Sequence, residues 1–241
     1  MAKKQSPEFV RKKMSSDLIA LAEVLKSGMH GTIVNPDVLK SSANTITRTT
    51  KGSTWNYKIS GLQLRVNVPQ STQPVNCPGP LTIEVSLSLA GDLNNDEADQ
   101  LTALVLDIII KSSCGSLLCA WHFDRHNQEG NPTLEAHPLY HFQHGGNAML
   151  PYAGMLGNSL LLPAPRLAFP PMDAVLAIDF VLSNFSGECW GFMRKQAPYL
   201  RLIKESQKTL WQPYLKRLAN WWETPQKDEK AKTAALMPHL A

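Results

Sequence analysis

A chain of 241 residues, 43% apolar and 18% charged with only four cysteines, has material for a sizeable core and is neither a low-complexity polymer nor a disulfide scaffold. No apolar stretch reaches the roughly 20 residues needed to cross a bilayer, so no membrane is expected among its partners. The net charge of +4 is unevenly spread: residues 1–60 and 191–241 each carry ten Lys or Arg against four Asp or Glu, whereas residues 61–190 carry four against twelve.

Ser6-Pro7-Glu8 combines a hydroxyl cap, a first-turn proline and an acid facing the helix dipole. Phe9, Val10, Met14, Leu18, Ile19, Leu21, Ala22 and Leu25 then recur at helical spacing, which predicts a helix ending near Gly28. Residues 30–60 are polar and rich in Ser and Thr. Strand-like pieces are expected at 44–50 and 54–59, turning through Lys51-Gly52-Ser53. Leu62–Val68 and Leu81–Leu89 alternate apolar and polar residues and read as half-buried strands, separated by a break at Asn76–Pro80. After an acidic loop at Gly91–Asp99, Leu101–Lys111 is dense in Val, Leu and Ile, as a central strand is, with a helix capped by Asn95 as the competing reading. Strands are expected again at Leu117–His126 and Pro138–Gln143, around a turn at Gln128–Pro132.

Glycines and prolines make 145–171 irregular, after which Pro170-Pro171 opens an almost uniformly apolar helix, Met172–Leu182, that should be buried on most sides. From Gly187 to Trp222 the pattern is helical in two or three pieces around Pro198 and Pro213, with Trp211, Trp221 and Trp222 on an apolar stripe. Residues 224–241 lack periodicity and are expected to be a flexible tail. The whole is read as an α+β domain over 7–223, its helical, aromatic-rich part at 186–223. A β-meander of four to six antiparallel strands is packed by an N-terminal helix and C-terminal helices.

Five of the seven histidines fall between His122 and His144. In an extended strand His122, Asp124 and His126 point to one face, and Trp121, Phe123 and Arg125 to the other. His137 and His141 approach from the neighbouring segment, with Glu135 and Cys119 close in sequence. Imidazoles and a carboxylate on adjacent strands suit Zn²⁺ or another divalent transition metal such as Mn²⁺ or Fe²⁺, which would serve a metal-dependent hydrolase by acidifying a bound water. Two other readings stay open: histidines packed on aromatic neighbours and bonded locally, and a His–Asp general base. No Gly-x-Ser-x-Gly elbow and no phosphate-binding glycine loop is present, and Cys189 reads as a buried thiol.

The leading expectation is an intracellular binding subunit of a multi-protein assembly, docking a partner protein, since low charge with abundant aromatics marks contact surfaces. The basic residues Arg11, Lys12, Lys13, Lys204, Lys208, Lys216 and Arg217 are the positions expected to contact a partner, nucleic acid included. Met1-Ala2-Lys3-Lys4-Gln5 has no apolar signal core, and no Cys-x-x-Cys pair occurs, so a reducing cytoplasmic setting with free thiols is expected.

The order helix, meander, proline-rich loop, buried helix, further helices resembles the ubiquitin-conjugating-enzyme-like (UBC/RWD-like) superfamily in topology over about residues 7–185. His137-Pro138 is similar to that family's His-Pro-Asn element, and the run to Pro170-Pro171 to its proline-rich crossover. Leu139 stands where the family has Asn, and no cysteine lies between Cys119 and Cys189 to match its catalytic one. The resemblance therefore implies a non-catalytic adaptor of that fold.

Overall fold

The hydroxyl of Ser6 accepts a hydrogen bond from the Phe9 amide, and Pro7 occupies the first turn of α1 (Pro7–Lys26). Helical spacing brings Leu18, Leu21, Ala22 and Leu25 onto one buried stripe. The fold comes from a computed structural model that describes residues 6–28, 31–49, 52–126, 136–145, 149–155, 166–224 and 226–240. Glu135 and the turn expected at Gln128–Pro132 lie outside them.

α2 (Asp37–Thr49) replaces the strand expected at 44–50. Leu39, Ala43 and Ile46, four and three residues apart, are completely buried, a helical period that outweighs the β-prone Ser/Thr composition. Ser42 donates to the Lys58 carbonyl at 2.6 Å and ties this helix to the first strand. That strand, β1 (Thr54–Val66), is longer than either of the two pieces that the sequence predicts. Gly61, at φ +64°, sits in the bulge where the register shifts, and Ser86 accepts its amide hydrogen bond.

β2 (Leu81–Asp92), β3 (Leu101–Lys111), β4 (Leu118–Arg125), β5 (Tyr140–His144) and the two-residue β6 (Leu167–Ala168) complete a six-stranded antiparallel sheet in chain order. β3 is a strand and not the competing helix because β2 pairs with it from Leu101 to Lys111 and β4 from Val105 to Lys111, burying Leu104, Leu106 and Ile108 on one face. Trp55 lies flat against Gly91, where a Cβ would come within 2.4 Å of the indole. Only a residue without a side chain admits the ring there.

α3 (Ala174–Phe185) starts two residues later than expected, since Asp173 is its cap and accepts the Leu176 amide at 3.0 Å. Asp179, buried in this apolar helix, is held by Arg194 through two bonds and by Trp190 and Tyr199. A buried charge with its lone pairs filled in this way is tolerated. α4 (Gly187–Met193), α5 (Ala197–Ser206), a π turn (Gln207–Trp211) and α6 (Gln212–Ala219) follow. The break before Pro198 is where the sequence puts it, whereas at Pro213 the helical backbone continues out of the π turn, in which Trp211 donates to the Pro171 carbonyl at 2.9 Å. Trp221 is buried, but Trp222 is 74% exposed and leaves the expected stripe.

The stretch expected as a flexible tail contains α7 (Lys227–Leu236), anchored by Leu236 in the core. Its periodicity is invisible because only Thr233 and Leu236 are buried. One core joins the helices to one face of the sheet, while Asn56, Lys58, Ser88 and Val105 on the other face are exposed. Among the described residues no helix is long and apolar enough to cross a membrane.

Candidate functional site

Register places the histidine cluster. His122 of β4 stands opposite Asp107 of β3, and Asp124 opposite His141 of β5, all on the sheet face turned away from the core. Phe123 and Phe142 pair on the core face, with ring centroids 4.6 Å apart. The alternation read from the strand therefore holds for His122 and Asp124 against Phe123.

His122 is gripped at both nitrogens: Nδ1 lies 2.8 Å from Asp107 Oδ1 and Nε2 lies 3.1 Å from Asp124 Oδ2. A ring that donates from both nitrogens is an imidazolium. Burial opposes that charge, but the bonds to Asp107 and Asp124 outweigh it and push the His122 pKa up to about 9. Burial likewise works to raise Asp124, and its bond to His122, then the charges of His141 and His122, hold it below the usual carboxylate value. His141 is buried, and Nδ1 lies 3.0 Å from the Pro138 carbonyl, to which it donates. Burial lowers its pKa, against the pull of the Asp124 carboxylate, whose Oδ1 lies 3.1 Å from Nε2.

His137 stacks on His126 at 3.6 Å and meets His141 edge-on at 4.6 Å. Burial, then the neighbouring charges of His126, Arg166 and His141, depress His137 to about 4. The five residues expected as metal ligands (His122, Asp124, His126, His137 and His141) are thus brought together, but as a bonded and stacked network. Among the described residues no group of three or more His, Cys, Asp or Glu is arranged to hold a metal ion. Both nitrogens of His122 face carboxylates, and Nδ1 of His141 is committed to Pro138, so the rings that would ligate zinc or another divalent metal are otherwise engaged. Cys119 is no part of the cluster: it pairs with Ile110 and lies 3.8 Å from His144. All four cysteines are free thiols, and Cys189 is buried.

Asp107, a member of this network, is missed by sequence reasoning. Its signal is a lone acid at an outward position of an otherwise apolar strand.

The basic positions separate into two groups. On α1, Arg11 donates to the Gly52 and Thr54 carbonyls, Lys12 pairs with Glu8 at 2.8 Å and Lys13 with Asp17 at 2.7 Å. Each is bonded within its own chain. Lys204 is exposed on α5. Lys208, Lys216 and Arg217 line a cleft of about 460 Å³ between the β2–β3 loop, α6 and α7. Arg217 is its hub, bound to Asp96 at 2.7 Å and Glu229 at 3.3 Å.

On the other side of α7 a larger cleft of about 850 Å³ is lined by Asp99, Arg125, His126, Lys232 and Leu236 among others. Its floor is rigid: Arg125 grips Asp99 through two bonds, at 3.1 and 2.6 Å, and Tyr140 adds a third at 2.5 Å. His126 belongs both to this wall and to the histidine stack, so the network opens into the cleft. Both clefts mix signs, with Asp96, Asp99 and Glu229 set among Arg125, Arg217 and Lys232.

No family model, curated protein or solved structure matches the chain, and the resemblance to the ubiquitin-conjugating-enzyme-like superfamily gains no support from these comparisons.

Proposed function

We propose that the chain is a binding subunit that docks a partner protein in the mixed-charge clefts beside α7. The observation that carries this reading is the 850 Å³ cleft whose charged side chains are already fixed, Arg125 on Asp99 and Arg217 on Asp96. Side chains held in place before binding lose little entropy on contact, and adjacent positive and negative groups suit a polypeptide, which offers both signs and backbone hydrogen bonds. Nucleic acid would call for a field of one sign. The histidine network then serves as the frame of the cleft wall rather than a catalytic centre, since both nitrogens of His122 are engaged by carboxylates and Nδ1 of His141 by the Pro138 carbonyl.

Thr102 is exposed and lines the cleft, so Thr102→Trp fills it from the rim. Affinity capture from the native cell, with the full chain as bait, should recover a protein that Thr102→Trp loses and that Lys58→Glu, on the far sheet face, retains. A protein captured equally by all three baits, or none enriched, would sink the reading.

A further inference from the structure

α7 is a poorly seated helix. Of its ten residues only Thr233 and Leu236 are buried, and Gln226 at its start gives no side-chain cap. Ten residues are too few for a stable helix in isolation, so docking must supply its order. The described contacts that dock it are few: Leu236 in the core, the Leu139 amide on the Leu236 carbonyl at 3.3 Å, Glu229 on Arg217 at 3.3 Å, and Lys230 over the Trp221 ring at 5.2 Å. Open space flanks it on both sides, about 460 Å³ toward α6 and about 850 Å³ toward β4. A helix packed to interior density leaves no such margins. The groove is wider than its occupant.

Glu229, Thr233 and Leu236 lie at i, i+4 and i+7, a single helix face. That face supplies an acid to Arg217 and a leucine to the core pocket, while small Ala235 and long Lys232 leave the wider margin unfilled. We propose that α7 is a displaceable occupant of a helix-receiving groove, and that the partner's docking element is a helix with an acid and a leucine seven residues apart and bulkier flanks. Arg217 then exchanges Glu229 for the incoming acid, keeping its bond to Asp96, and the incoming leucine takes the place of Leu236. This rests on the clefts being the docking site, as read above, and adds what the partner presents and what it displaces.

The probe is a fluorescent synthetic peptide of residues 226–240, with a second peptide carrying Ala235→Leu. In the full chain, Leu236→Asp unseats the resident helix. Because a resident competitor weakens apparent affinity by the fraction of time the groove is open, this variant should bind the peptide at least about tenfold tighter than the unaltered chain. The Ala235→Leu peptide should bind tighter still, and adding Arg217→Glu should abolish binding. Equal binding to both chains, or none to either, overturns the proposal. If Leu236→Asp does not fold, hydrogen exchange on the unaltered chain decides: α7 amides should exchange at least about 100-fold faster than those of α3, and equal protection overturns it. A dimer that exchanges α7 between copies would overturn the foreign partner in favour of a second copy. The peptide measurement needs no cellular partner, so it fails or succeeds separately from the capture experiment.

Discussion

His122 and His137 are displaced in opposite directions within one network. An unfolded histidine titrates at about 6.5. Between that value and about 9 the folded chain keeps a proton on His122 that the unfolded chain has lost, so stability falls as pH rises through this window. Between about 4 and 6.5 the unfolded chain protonates His137 while the folded chain does not, so stability falls as pH drops. Denaturant midpoints measured across pH 4–9 should therefore peak near 6.5, with an alkaline limb on the order of 3 kcal/mol at 1.36 kcal/mol per pKa unit. His122→Gln or Asp107→Asn should flatten the alkaline limb, and His137→Gln the acid limb. A limb unchanged by its own substitution would show that the network is not its source. Gly91→Ala belongs to the same scale. Its Cβ would overlap Trp55, costing on the order of 2–3 kcal/mol in chemical denaturation, and Trp55→Leu in the same chain should recover much of that.

Among the elements, α3 shows how a cap couples to packing. Asp173 accepts the Leu176 amide and the Ser206 hydroxyl, the latter at 2.6 Å, so it both starts α3 and fastens it to the end of α5. Burial raises its pKa, which means the site tolerates a neutral group. Asp173→Asn, whose Oδ1 can still accept the Leu176 amide and whose Nδ2 can donate to the Ser206 hydroxyl, should melt close to the parent chain. Asp173→Ala should lose about 1–2 kcal/mol through the missing cap, and equal melting of the two variants would refute the cap's role. α2 is the element that local composition misreads. Thr and Ser favour strands and turns, yet Leu39, Ala43 and Ile46 set a helical period that a core position rewards.

For the whole molecule, the two basic ends do not merge into one surface. Arg11, Lys12 and Lys13 are bonded within α1 or to the chain entering β1, while Lys208, Lys216 and Arg217 face acids across a cleft. Neutralising phosphates releases counterions and gives a steep salt dependence, which interleaved charge pairs do not. The full chain should pass over double-stranded DNA at physiological salt with little retention, and capture of its protein partner should change only modestly between about 0.1 and 0.5 M salt. Strong, salt-steep retention on DNA would reverse the choice of partner.

Local patterning along the chain already carries the α+β class, the meander order of its long strands, the cap at Ser6, and the histidine face shared by His122 and Asp124. All of these follow from periods of 2 and 3.6 residues and from local backbone limits, which neighbours along the chain dictate. Long-range packing alone makes Asp107 close the network, holds His122 at both nitrogens, and folds α7 back between two clefts. Those outcomes depend on which strands sit side by side and on what a single leucine finds to pack against. Contacts between residues far apart in the chain leave no periodic trace in it.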